Sequence, residues 1–294
     1  MKKLFLLLLL IPLLLVSCTE FERTGEDARY DSVVFIGVDG AGAWLGAADG
    51  FSTIFSSCSA WTTDAVCELP SISAQNWGTY LHGVGPDVHK CVNASIACER
   101  FPYLQYPSVF RIIRTVYPEA VLVSFAEWNA INYGLIETSA GVYKSSDKRF
   151  CSTVYSTDEI ENMALEYLER SVPTFFFIHI EDADDAGHSA GYGLSEHLEK
   201  VQKDVEFIKR IDELIDYDRT LLIVATDHGG TGKTHGGDTD SERKITIAIK
   251  GHTIEQSRLS SSTMPRDIAP VILKALGIKK PSFMDGDIPE GLTI

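Results

Sequence analysis

Apolar, β-branched runs alternating with amphipathic segments predict an α/β fold, with a mostly parallel central sheet sandwiched by helices. Two observations carry the prediction. Ser32–Val38, Thr174–Ile180 and Thr220–Ala225 are predominantly apolar along their whole length, as in strands buried on both faces, rather than alternating. Segments with helical spacing intervene between them. No Gly/Ser/Pro-rich linker, internal repeat or low-complexity tract divides residues 32–294, which therefore read as one domain.

The elements run in this order. Ser32–Val38 is a strand ending at Asp39-Gly40. Ser71–His82 forms a helix after Pro70, with Ser71 suited to its N-cap. Pro107–Tyr117 has helical spacing, with Val109, Ile112, Ile113 and Val116 on one face. Ala120–Phe125 is a strand. Asp158–Arg170 is a helix with Asp158 as N-cap. Thr174–Ile180 is a buried strand, and Leu194–Ile215 a long amphipathic helix. Thr220–Ala225 and Lys244–Lys250 are further strands, and Asp267–Leu276 is a helix stopped by Gly277.

The chain has 294 residues, 45% of them hydrophobic, enough for a large core. Its formal charge of -15 argues against general binding of a nucleic-acid backbone. A phosphate-handling site in such a chain needs local positive charge, which bound metal ions supply. Lys2 and Lys3 precede the apolar run Leu4–Val16, too short for a comfortable span and typical of a signal peptide. Leu15-Val16-Ser17-Cys18 resembles the bacterial lipobox. Residues 1–17 are then the leader, and 18–31 a lipidated Cys18 and polar tether. By resemblance to lipoprotein sorting in Gram-negative bacteria, Thr19 after Cys18 implies the outer membrane. Cys58, Cys67, Cys91, Cys98 and Cys151 remain, with Cys91–Cys98 a candidate local pair.

Ligands in open α/β sheets bind beyond the carboxyl ends of the strands. Three predicted strands end in metal-ligand chemistry. Ser32–Val38 ends at Asp39. Thr174–Ile180 runs into Glu181-Asp182-Ala183-Asp184-Asp185-Ala186-Gly187-His188. Thr220–Ala225 runs into Thr226-Asp227-His228-Gly229-Gly230, with Thr234-His235-Gly236-Gly237 close behind. Carboxylate oxygen and imidazole nitrogen suit zinc or a similar divalent ion. Asp184 and His188, four apart, share one face of a helix. A nucleophile is available in Ser73, in the first turn of a helix whose N-terminus attracts phosphate. Asn76, three residues on, is placed to donate its amide to a phosphoryl oxygen.

Together these pieces resemble the alkaline phosphatase superfamily and, within it, the type I phosphodiesterase/nucleotide pyrophosphatase branch. The matching residues are Ile36-Gly37-Val38-Asp39-Gly40, Pro70–Trp77 with Gly83-Val84-Gly85-Pro86-Asp87-Val88-His89, Asp184–His188, Thr226–Gly230 and Thr234–Asp238. Asp267-Ile268-Ala269-Pro270, Leu276-Gly277-Ile278 and Met284-Asp285-Gly286 complete the set. The resemblance implies two divalent ions, Zn2+ by this reading. Asp184, His188 and His235 would hold one, and Asp39, Asp227 and His228 the other. Ser73 would be ligand and nucleophile, passing through a phosphoseryl intermediate, with Asn76 on the phosphoryl group. Serine stands where the branch more often has threonine, and Gln75 where it has proline. His89 is expected to be structural. The implied partner is a small phosphate ester, a nucleotide or other diester, with a membrane reached through lipid on Cys18.

Two relatives fit less well. Neither Ser71 nor Ser73 opens the C/S-x-P-x-R pattern of formylglycine sulfatases, and cofactor-independent phosphoglycerate mutases are longer and cytosolic. A phosphomonoesterase on the same metals, and a surface lipoprotein binding a ligand without catalysis, are the alternatives. Trp77, Trp128, Asn129, Asn132 and Tyr133 are candidates for a substrate pocket.

Overall fold

The structure is a computed structural model that describes residues 21–25, 28–97, 106–145 and 155–294. The leader, Cys18, Cys98 and Cys151 lie outside these residues. Among the described residues Cys58, Cys67 and Cys91 are free thiols, and the candidate pair Cys91–Cys98 falls on a residue outside them. Among the described residues no helix is long and apolar enough to cross a membrane.

Eight strands form one sheet: β1 Ser32–Val38, β2 Ser59–Val66, β3 Leu122–Ala126, β4 Tyr143–Lys144, β5 Phe175–Ile180, β6 Thr220–Thr226, β7 Lys244–Lys250 and β8 Ser257–Arg258. Their order is β4-β3-β5-β1-β6-β7-β2-β8. β1 lies at the centre, parallel to β5 on one side and β6 on the other. β7 runs antiparallel to both β6 and β2, so the sheet is mostly parallel rather than wholly so.

Both faces of the sheet are covered, which explains the continuous apolar runs. Along β5, Phe175 and Phe177 point into one core layer while Phe176 and Ile178 point into the other. Each such side chain contributes roughly 1.5–3 kcal/mol by burial. Helices Ser73–His82, Val109–Val116 and Ile268–Ala275 cover the first face. Helices Thr157–Leu168 and Ser195–Leu214 cover the second.

The predicted elements form with shifted ends. Ser156, not Asp158, caps the helix Thr157–Leu168, through a reciprocal capping box with Glu159. The helix predicted from Ser71 starts at Ser73. Ser71 instead uses its hydroxyl across the chain, accepting from Gly236 N and donating to Gly237 O. The expected tether is also shorter than residues 18–31. Thr24 N donates to Gly277 O and Lys279 N to Glu22 O, and Arg29 N and Tyr30 N both donate to Ala275 O.

Candidate active site and metal centre

The carboxyl ends of β1, β5 and β6 converge on one site. β1 delivers Asp39, 1% exposed, and Gly40 turns the chain away with φ of +66°. The glycine is required, because a Cβ at residue 40 would sit 2.5 Å from Asp184 Oδ1. β5 is followed by the helix Asp182–Ser189, which carries Asp184 and His188 one turn apart. β6 delivers Asp227 and His228, both fully buried. His235 comes from the loop beyond and is tied to Ser71.

Two groups of three ligating side chains result. Asp184, His188 and His235 bring one donor atom each within 4.8 Å of one another, as do Asp39, Asp227 and His228. His188 Nε2 is 3.2 Å from Asp184 Oδ2 and 3.2 Å from His235 Nε2. His228 Nε2 is 3.2 Å from Asp227 Oδ2 and 3.5 Å from Asp39 Oδ1. The groups abut through the rings of His228 and His235, stacked with centroids 3.8 Å apart.

Hydrogen bonding sets the tautomers. His228 Nδ1 faces Gly229 O at 2.9 Å, His235 Nδ1 faces Ser71 O at 2.8 Å, and His188 Nδ1 faces Lys233 O at 3.0 Å. A carbonyl only accepts, so each Nδ1 carries a proton, and in the neutral ring that metal ligation requires each Nε2 presents its lone pair to the site. His188 and His235 thus aim two lone pairs at one another. Asp227 Oδ2 is buried and has no hydrogen-bond donor, although His228 Nε2 is close. Its other oxygen accepts from Gly40 N at 3.1 Å and His228 N at 2.9 Å. In the buried group, acceptor facing acceptor at Asp227 and His228 calls for a cation between them; the outer group, where His188 is exposed, offers the same donor chemistry at the rim. The residues therefore fit divalent metal ions.

The electrostatics agree. Burial, then Asp227 and Asp184, push the Asp39 carboxyl well above the ordinary range. Burial, then Asp184, do the same to Asp227. Burial, then His228, depress His235. A bound cation would reverse the shift of the two carboxyls, and it needs His235 neutral, which is the state its lowered pKa already favours.

Ser73, the first residue of its helix, lies against the buried group. Its Oγ is 3.2 Å from His228 Nε2 and 3.5 Å from Asp39 Oδ1. Asn76 does not join it. Its Oδ1 accepts from Glu68 N at 2.8 Å, and its Nδ2 is directed at the carbonyls of Glu68, Pro70 and Ile72 at 3.1–3.4 Å. Asn76 ties the loop before the helix to its first turn, and no donor is left for a substrate. The expected phosphoryl role fails because that loop folds back over the same helix face. Sequence reasoning missed another amide, anchored to the residue after Ser73: Asn93 Oδ1 accepts from Ala74 N at 3.0 Å. Asn93 is exposed at the mouth, and this bond fixes its amide beside the residue after Ser73.

Supporting residues also escaped the sequence reading. Trp77 Nε1 and His179 Nε2 both donate to Asp39 Oδ2, at 2.9 and 3.0 Å, leaving Oδ1 for the site. Burial lowers His179 to about 4, so it is a neutral donor. Tyr192 Oη donates to Asp184 Oδ1, and His197 Nε2 to Gly40 O. His89 is structural as expected, held by Gln75 O and Thr79 Oγ1, with burial depressing it to about 3. Trp77 and Asn132 are core rather than pocket residues. Asn132 is fully buried and bonded to Ser124 Oγ and Ser145 Oγ. Trp128 and Asn129 are half-buried.

A fold with hydrolytic-type ligands at its strand ends defines a metal-dependent enzyme class. A profile of the Metalloenzyme superfamily matches residues 129–280, and the chain belongs to that superfamily. No curated protein sequence matches it. The fold is alkaline phosphatase-like. Murine ectonucleotide pyrophosphatase/phosphodiesterase 5, in an inactive form complexed with AMP, superposes with a TM-score of 0.68 at 12% identity, covering 91% of this chain and 100% of that one. A Vibrio parahaemolyticus protein of the alkaline phosphatase superfamily gives 0.61 at 12% identity, covering 91% and 71%. A 2-O GAG sulfatase gives 0.65 at 12% identity, covering 88% and 73%.

Proposed function

We propose that this protein is a phosphodiesterase or nucleotide pyrophosphatase that uses two zinc ions, exported and lipid-anchored through Cys18. The observation that supports it most is the gathering of six ligating side chains into two abutting groups, three with Nε2 turned inward, with Ser73 Oγ against Asp39 and His228. Asp184, His188 and His235 would hold one ion, and Asp39, Asp227 and His228 the other. Bound ions supply positive charge that lowers the serine hydroxyl's pKa and offsets charge on the phosphoryl oxygens.

The chain's own residues do the rest. Ser73 Oγ, giving up its proton, forms the bond to phosphorus as the bond to the leaving oxygen breaks and that oxygen takes a proton. The seryl phosphodiester left behind is cleaved by water, releasing a phosphomonoester and restoring the serine. The N-terminus of the Ser73–His82 helix presents backbone N–H groups to the phosphoryl oxygens. Asn93 adds its amide, in the role sequence reasoning gave to Asn76. Trp77 and His179 keep Asp39 in one rotamer. Phosphate is favoured over sulfate as substrate because Ser73-Ala74-Gln75 lacks the formylglycine pattern and the donor set is rich in nitrogen. The structural likeness to a nucleotide pyrophosphatase over that protein's full described length supports a diester over a monoester.

The test is to purify the body without residues 1–18, load it with zinc, and compare initial rates on a chromogenic phosphodiester, a phosphomonoester and a sulfate ester. Diester turnover lost in Ser73→Ala is expected. Dominant monoester or sulfate turnover would change the substrate class, and no turnover on any ester would leave a binding protein.

A further inference from the structure

The N-terminal segment is held at the opposite end of the sheet from the catalytic residues. Phe21 packs against the core, Arg23 pairs with Ile278, and Thr24 N donates to Gly277 O. Arg29 N and Tyr30 N donate to Ala275 O just before β1 begins at Ser32. Arg23 shares a hollow with Ala120, which leads into β3, and Thr174, which leads into β5. This is the amino end of the parallel strands. Asp39, Asp184, Asp227 and His228 all lie past their carboxyl ends, one strand length or about 20 Å away.

The leash is short. Only Thr19 and Glu20 separate Cys18 from Phe21, which allows at most roughly 10 Å between those two Cα atoms. That is less than the strand layer alone, before the loops bearing the ligands are counted. The same face carries the complementary charge. Arg29, Lys274, Lys279 and Lys280 line one hollow there together with Asp287. Lys280 pairs with Asp287 and Lys279 with Glu22, so four cations stand there against these two acids. In a chain of net charge -15 this cationic face suits anionic phosphate headgroups.

We infer that the anchored enzyme stands with this basic face on the bilayer and its catalytic mouth turned away. Its substrate is therefore a soluble phosphate ester and not a phospholipid of its own membrane. The inference rests on the lipid anchor and esterase reading proposed above. A mouth facing the bilayer would require release of Phe21–Thr24 from the core.

The full lipidated chain is reconstituted into vesicles containing anionic phospholipid and a headgroup spin label. A coumarin-bearing amino acid replaces either Lys274, on the basic face, or Asp240, exposed near the mouth. Strong quenching at 274 and almost none at 240 is expected. Equal quenching, or the reverse, overturns the orientation, as does failure of the chain to join vesicles. This readout needs no turnover, so it stands even if the esterase reading fails. In the same vesicles, the soluble diester should be cleaved at the rate of the unanchored body while host phospholipid stays intact. Cleavage of host lipid above the rate shown by the unanchored body overturns the substrate class.

Discussion

Asp227→Asn should stabilise the metal-free protein while abolishing its response to zinc. The side chain keeps Oδ1 as acceptor for Gly40 N and His228 N. Its Oδ2 is buried, without a donor, and 3.2 Å from the lone pair of His228 Nε2. An asparagine places an N–H there and turns two opposed acceptors into a hydrogen bond. Relief of a buried unpaired acceptor is worth about 1–3 kcal/mol, more for a charged one. At roughly 2–4 °C per kcal/mol for a large domain, the expected rise in Tm is on the order of 5 °C. The sign depends on pH. The folded-state pKa of Asp227 lies above its unfolded value. The wild type's stability is therefore fully present below the unfolded pKa and is lost as pH rises through the folded one. The advantage of the variant should be small near pH 4–5 and grow toward pH 8. Zinc reverses the order. At a thousandfold excess over Kd it stabilises the wild type by about 4 kcal/mol, and the variant by much less. Thermal melts in chelator and in zinc, at several pH values, read both effects. A variant that melts no higher than wild type in chelator at pH 8 refutes the argument, as does one that gains as much from zinc.

The geometry sets four further outcomes. Asn93→Ala should lower kcat on a phosphodiester by about 10²–10³ with Tm little changed. Asn76→Ala should instead cost about 1–3 kcal/mol of stability, because it strands Glu68 N and the loop carbonyls; paired melts and steady-state kinetics separate the two. His179→Phe removes one of two donors to Asp39 Oδ2 and should weaken zinc binding about 10–100-fold, read by competition with a chromophoric chelator. Trp128→Ala should raise KM for a nucleotide diester more than for a small chromogenic one if the half-buried indole lines the mouth. An equal KM for both would remove Trp128 from the pocket.

Much of this is legible in the sequence, for a physical reason. Strands buried on both faces must be apolar throughout, so β1, β5 and β6 stand out, and the residues just past their carboxyl ends are those that face a ligand. Asp39, Asp184, His188, Asp227, His228 and His235 are found in this way, and the structure brings all six together. β2 escapes because Ser59–Val66 mixes polar residues into its pattern and pairs on one side only with the two-residue β8. Asn76 misleads because spacing on a helix says which face a side chain leaves from but not which loop folds over it. Asn93 is invisible because its link to Ala74 spans nineteen residues and depends on tertiary packing. Trp77 reads as a pocket candidate and His179 as part of a buried strand; both are buried, and each spends its single ring N–H on Asp39.

Gly40 has a consequence for how such a site could diversify. Its N–H holds Asp227, its carbonyl accepts from His197, and the space where its side chain would be is filled by Asp184. One residue is thus the party wall between the two ligand groups. Drift at this position would damage both halves at once, so neither half can be retuned through the backbone they share. Evolution or an engineer seeking a different ion, or a single-ion descendant, is left with exchanges at the side chains alone, and the mouth around Asn93 and Trp128 becomes the part of the molecule free to explore new substrates.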